Sequence, residues 1–341
     1  MPYDIITTIR YMGNKNRLLD AIIPEIESVT NPGDLVCDLM AGTNTIGYAL
    51  KRRNKVLAND IQYYSYIVSK CLLGNYSFPT SEEAHKDLDD NIQANIKNKT
   101  YSFIVDNYTD TYFAEHQCLD IDSIRYAIDQ LTDDNKKAAY LTILMSAMCK
   151  CQSSPGHFAQ FMDKNSPRLI PLRKMSIVDA FYDKFSEFKD FVVSDYDNIS
   201  KNLDYRDLFK DQSLMKNVKC IYLDSPYTTE QYSRFYHLLE TVCKYDNPTI
   251  RFKAKYRDDR YMSDFCYKNK VEKEFENIIS FAKDNDSRLI ISYSNKGVLP
   301  EERLLALCKK YNPDTVLKEA SYNHSTQGKG VVKIKELLFI L

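Results

Sequence analysis

"LVCDLMAGTNTIGYALKRRNKVLAND", residues 35–60, decides the fold of this chain. Its opening LVCD is short and apolar, as befits a strand covered on both faces. LMAGT is a turn of small residues, in which Gly42 lets the backbone bend tightly and approach a ligand. A helix starts after it, and KVLAND returns as a second strand ending in Asn59 and Asp60. Strand, helix and strand in this order predict a parallel, doubly wound sheet. Upstream, NRLLDAIIPEIESV (16–29) carries Leu18, Leu19, Ile22, Ile23, Ile26 and Val29 at helical spacing until NPGD breaks it. Downstream, IQYYSYIVSKCLL is helical again. From about Asn75 the alternation stops. Residues 80–150 read as mostly polar, acidic helices, and 151–175, with three prolines and a glycine, as irregular. It resumes near 190 with FVVSDYD (191–197), CIYLDSPY (220–227) and RLIISYS (288–294) as strands, and a helix over 271–285. VLKEASYN and VKIKELLFIL close the chain as a hairpin across a turn at 328–330. The reading is one α/β domain in two pieces, 1–74 and 191–341, around an insertion, 75–190.

The 341 residues are 44% hydrophobic and 27% charged, ordinary for a soluble globular protein. No N-terminal signal pattern and no apolar run near membrane length stand in the sequence, so secretion and membrane spans are not expected. Nine cysteines without a CxxC pair fit reduced thiols in a cytoplasm, and neither a disulfide framework nor a metal site. A net charge of −1 gives no global pull toward nucleic acid. Residues 244–260 nevertheless hold six bases against three acids, with Tyr245, Phe252 and Tyr256 among them. That mixture suits a phosphate backbone as well as it suits a solvated loop.

Open parallel sheets bind ligands beyond the carboxyl ends of their strands. Asp38 and Gly42 sit at one such end. The loop has no G-x-G-x-x-G fingerprint and no Walker lysine, which argues against a pyrophosphate ligand. Asp60, 22 residues after Asp38, is placed to accept hydrogen bonds from ribose hydroxyls. A nucleoside without a phosphate tail fits this loop, as S-adenosylmethionine would; the plain alternative is an ordinary turn with Asp60 as a helix cap. Asp224 ends another strand. Its carboxylate can accept hydrogens from an amine, Pro226 sets the chain direction, and Tyr227 offers a face for stacking, worth about 1–3 kcal/mol per base. Together these residues describe a slot for a planar, amine-bearing ring, and the plain alternative is a capped turn with a buried tyrosine.

In these residues the chain resembles the alpha-group adenine methyltransferases of restriction–modification systems, whose signature is an acid or Asn, then Pro, Pro and an aromatic. RYMGNKNRLLDAI is similar to the family's N-terminal element, DLMAGTNTIG to its cofactor loop, and NLDYRDLF to the element that brackets the cofactor's adenine. YHLLETV is also family-like. The resemblance implies a Rossmann-like S-adenosylmethionine-dependent methyltransferase sheet with an inserted, mainly helical target-recognition region. It implies cofactor contacts from Tyr11, Lys15, Asp38, Gly42, Asp60, Asp204, Tyr205 and Asp224, and catalysis by Asp224, the Ser225 carbonyl, Pro226 and Tyr227. Three positions depart from the pattern: Ser225 replaces the first proline, and Met40 and Asn44 stand where an aromatic and a small residue are usual. Asn44 tolerates a positive φ, so the turn should survive.

The reaction so implied is methyl transfer to the exocyclic N6 amine of an adenine flipped out of double-stranded DNA, with no metal. Lys150, His157, Gln160, Lys164, Arg168, Arg173 and Lys174 of the insertion are candidate DNA readers. Arg251, Lys253, Lys255 and Arg257 are candidates for a grip on the backbone. A cytoplasmic monomer is expected, with a cognate restriction endonuclease as its companion. Adenine in RNA, cytosine in DNA and a protein glutamine stay open as acceptors, as does a non-catalytic DNA-binding subunit.

Overall fold

Leu35, Val36, Cys37 and Asp38 are all buried, as a strand covered on both faces requires, and they form β1 (Leu35–Asp38). The computed structural model describes residues 3, 5–13, 15–321 and 335–341. Its further strands are β2 (Lys55–Asn59), β3 (Ile199–Lys201), β4 (Val218–Asp224), β5 (Ile250–Arg251), β6 (Tyr256–Arg257), β7 (Arg288–Ser294), β8 (Val316–Ser321) and β9 (Lys335–Ile340). Seven make one sheet in the order β3-β2-β1-β4-β7-β9-β8, and β5 and β6 form a separate two-stranded hairpin. β3, β2, β1, β4 and β7 run parallel. β9 lies antiparallel between β7 and β8, so the closing pair expected from the sequence forms. The turn at 328–330 falls outside the described residues. From β1 the chain winds outward to β2 and β3, then re-enters at β4 on the other side of β1. The loops after β1 and β4 part there, which opens a crevice at the carboxyl edge.

Successive side chains of each strand go to opposite faces. Val36, Cys220, Tyr222 and Leu338 join one apolar layer with Ile22, Ile23 and Ile26 of the helix Leu19–Ser28. Cys37, Ile221, Leu223 and Phe339 join the other with Phe275 and Ile278 of the helix Val271–Asp284. The helices Ser81–Asn98, Glu115–Asp129 and Asp134–Cys151 build a third core. Ile67 and Val68 of Tyr63–Leu73 enter that core, as do Leu238 and Val242 of His237–Lys244.

Three local readings are corrected. FVVSDYD is not a strand: the Val192 amide donates to the Tyr48 hydroxyl (2.9 Å), and Ser194 donates to the Lys51 carbonyl (2.6 Å). The third strand begins only at Ile199. The helix Asp134–Cys151 is not a polar surface helix, because every residue from Ala138 to Met148 is buried. Within 151–175, residues Pro167–Leu169 and Ile170–Lys174 close into short helical turns. Among the described residues no helix is long and apolar enough to cross a membrane.

Candidate active site

β1, β2 and β4 end at the same edge, so Asp38, Asp60 and Asp224 arrive in one crevice. Every residue that the sequence assigned to the cofactor or the reaction lines this cavity: Tyr11, Lys15, Asp38, Gly42, Asp60, Asp204, Tyr205, Asp224, Ser225, Pro226 and Tyr227. The turn after β1 is tied down at several points. The Leu39 amide donates to the Tyr222 carbonyl (3.0 Å) and that of Ala41 to the Asn59 carbonyl (2.9 Å). The Gly42 amide donates to Asp60 Oδ2 (2.9 Å), and the Gln62 amide to Asp60 Oδ1 (2.8 Å). Asp60 therefore clamps the loop and keeps its remaining lone pairs for a ligand. Gly42 has φ 52°, and a Cβ there would lie 3.3 Å from the Tyr11 ring. Both the backbone angle and the packing favour glycine. Asn44, at φ 54°, takes the left-handed conformation expected of it.

The N-terminal element closes over this loop. Tyr11 stacks on Tyr236 with ring centroids 4.6 Å apart, and the Met12 amide donates to the Tyr236 hydroxyl (2.7 Å). Lys15, only 5% exposed, places its ammonium 2.8 Å from Asp224 Oδ1 and 3.3 Å from Glu336 Oε1. Burial favours the neutral amine, but the two carboxylates outweigh it and hold the ammonium charged above its ordinary range. Burial pushes the Asp224 carboxyl up to about 6, with Lys15 opposing and Glu336 adding to the rise. Asp60 is raised to about 6 by burial, against the pull of its two amide donors. Asp38, 2% exposed, is raised furthest, to about 8, by burial and by the charges of Asp224 and Asp60.

Asp204 caps the short helix Tyr205–Leu208 and accepts from Arg206 and the Tyr261 hydroxyl (2.9 Å). Tyr205 is buried and donates to Glu274 (2.6 Å). Ser225 is buried, and its hydroxyl has no partner among the described residues. Tyr232 and Gln231, which also line the cavity, were missed by sequence reasoning, and so was Glu336, which stands 3.3 Å from the Lys15 ammonium. Glu336 carries a weak signal, an acid inside a closing apolar strand.

The DNA candidates are scattered and mostly engaged. Lys150 faces Asp183 at 3.5 Å. Lys164 and Arg173 converge on Asp110 at 2.6 and 2.5 Å. His157 is half-buried and packs on Phe235, with ring centroids 5.0 Å apart. Gln160, Arg168, Lys174 and Lys253 are exposed. Arg251 pairs with Asp258 at 3.0 Å, and Lys255 gives its carbonyl to Tyr108. Arg257 is a correction: it is 2% exposed, with its guanidinium held by Asp246 and Asp259 at 2.7 and 2.9 Å. It braces the β5–β6 hairpin and presents no charge to a phosphate.

Comparison with known proteins gives the same reading. The D12 class N6 adenine-specific DNA methyltransferase family matches residues 11–296. Modification methylase LlaI of Lactococcus lactis subsp. lactis is 29% identical, covering 97% of this chain and 54% of its own length. Modification methylase StsI of Streptococcus sanguinis is 27% identical, over 98% and 51%. The type II methyltransferase M.FokI of Planomicrobium okeanokoites is 29% identical, over 90% and 48%. The chain thus spans about half the length of these relatives. With the sheet order, the crevice at the switch point and this match along most of its length, the chain belongs to the D12 class N6 adenine-specific DNA methyltransferases.

Proposed function

We propose that this chain transfers a methyl group from S-adenosylmethionine to the N6 amine of an adenine flipped out of double-stranded DNA. One observation carries the cofactor assignment: among the described residues, the acids Asp38, Asp60 and Asp224 line this crevice with one buried cation, Lys15. Such an excess of carboxylate suits a cationic ligand. Bound there, S-adenosylmethionine supplies an electrophilic methyl on a sulfonium. The donor set fits it: Asp60 has lone pairs for ribose hydroxyls, Gly42 leaves the backbone open, and Tyr11, Asp204 and Tyr205 bound the cavity.

Asp224 accepts one hydrogen of the adenine amine, and the Ser225 carbonyl the other. This draws the nitrogen toward tetrahedral geometry and frees its lone pair. Positioning then matters more than base strength. Tyr227 takes over the stacking that the base loses on leaving the duplex. Asp224 must be ionised, so the rate should fall as pH drops through about 6. The insertion, 75–190, is the natural reader of the target, with Gln160, Arg168 and Lys174 exposed for it. The names of the relatives, modification methylases, support a companion endonuclease. The unpaired cysteines suit a reducing compartment.

The test is expression in a host without DNA methylation, followed by mapping of modified bases. Methyladenine in a fixed short motif is expected from the wild type, and nearly none from Asp224→Ala, whose thermal melt should stay close to wild type. Normal methylation by that variant would falsify the mechanism.

A further inference from the structure

Glu336 lies beyond the residues matched to the family model, which end at 296. It sits near the start of β9, the strand that runs against its neighbours. For that reason alone, its beginning lies at the edge where the parallel strands end. The residue pairs in register with Ser294 and is 2% exposed. Its Oε1 accepts from the Ser292 hydroxyl (2.5 Å) and stands 3.3 Å from Lys15 Nζ. Leu337, Leu338 and Phe339 beside it are core residues. A carboxylate buried there is hard to justify by stability, since buried ion pairs often contribute little net.

We propose that Glu336 is a positioning residue: it shares the Lys15 ammonium with Asp224, so that Lys15 cannot settle over both Asp224 oxygens and one stays free for the adenine amine. This rests on the methyl-transfer reading above. Among the described residues, the titratable groups in electrostatic contact with Asp224 are Lys15 from the N-terminal element, Glu336 from β9, Asp38 from β1, and Tyr222, Tyr227 and Tyr232. Lys15 favours the ionised form of Asp224 and Glu336 opposes it.

Glu336→Gln keeps the shape and the bond to Ser292 and removes the charge. At saturating S-adenosylmethionine and DNA, its single-turnover methylation should fall at least tenfold at pH 7.5. Cofactor affinity should stay within a few-fold of wild type. The acid limb of the rate should move to lower pH, because a repelling charge beside Asp224 is gone. Carbon-13 NMR of the Lys15 Cε should show the ammonium titrating at lower pH than in wild type. A rate and acid limb equal to wild type, with Lys15 unshifted, overturns the assignment. So does a loss explained wholly by a lower melting temperature, with both titrations unmoved. If the wild type transfers no methyl group, the methyl-transfer reading fails instead. The Lys15 titration still decides whether Glu336 holds that ammonium.

Discussion

Ser225 is the residue at which this chain leaves its family's usual signature, and its surroundings say what the change does. The hydroxyl is buried without a partner among the described residues, a situation that costs about 1–3 kcal/mol for an unsatisfied polar group. In the proposed reaction it is the carbonyl of Ser225, and not the hydroxyl, that receives an amine hydrogen. Ser225→Ala should therefore raise the melting temperature slightly and leave single-turnover methylation within a few-fold of wild type. A hundredfold loss with an intact fold would show that the hydroxyl itself is used. Lys15 and Glu336 approach to 3.3 Å although they are 321 residues apart in the chain. A sequence reading assigns Lys15 to the cofactor by resemblance. Only its 2.8 Å approach to Asp224 reveals the second duty.

At the scale of elements, the ends of β1, β2 and β4 form an acid-lined crevice whose protonation would answer to a bound cation. Asp38 titrates near 8, well above the ordinary carboxyl range, chiefly through burial. A cationic ligand would pull that value down. Cofactor binding at pH 7 should therefore release protons, visible as a dependence of the calorimetric enthalpy on buffer ionisation enthalpy. Proton uptake would contradict the arrangement. The same shift bears on stability. A carboxyl raised in the folded state contributes stability that is present below its unfolded value and lost as pH rises through about 8. Asp38→Asn should thus raise the melting temperature of the ligand-free protein on the order of 2–5 °C at pH 8.5. At pH 5 the gain should be smaller. The strands that make the crevice were legible because each is written in a few adjacent residues. FVVSDYD has a strand's composition too, yet the Tyr48 hydroxyl and the Lys51 carbonyl engage its polar groups.

Across the whole molecule, the charges counted in residues 244–260 divide into two kinds. Lys253 is exposed on the β5–β6 hairpin loop, whereas Arg257 is enclosed by Asp246 and Asp259. Lys253→Ala should weaken DNA binding evenly across sequences and lower the slope of log affinity against log salt by about 1, with an unchanged melt. Arg257→Ala should instead cost about 1–3 kcal/mol of stability by unseating the hairpin, measured by denaturant unfolding. Equal salt slopes for Lys253→Ala and wild type would remove this loop from the DNA contact.

The sequence alone determined the parallel sheet, the glycine turn and the acids at the strand ends. Periodicity, a turn residue and a strand terminus are properties of a few neighbours in the chain. It also carried the signature by which the crevice residues could be named together. Tertiary structure alone decided which charges are spare and which are held: that Arg257 is a brace, that the helix Asp134–Cys151 is a core, and that Glu336 reaches the site on a strand turned against the rest. Burial and Coulomb interaction depend on separation through space, and the fold sets that separation by bringing Asp224 and Glu336 to 2.8 and 3.3 Å from the Lys15 ammonium.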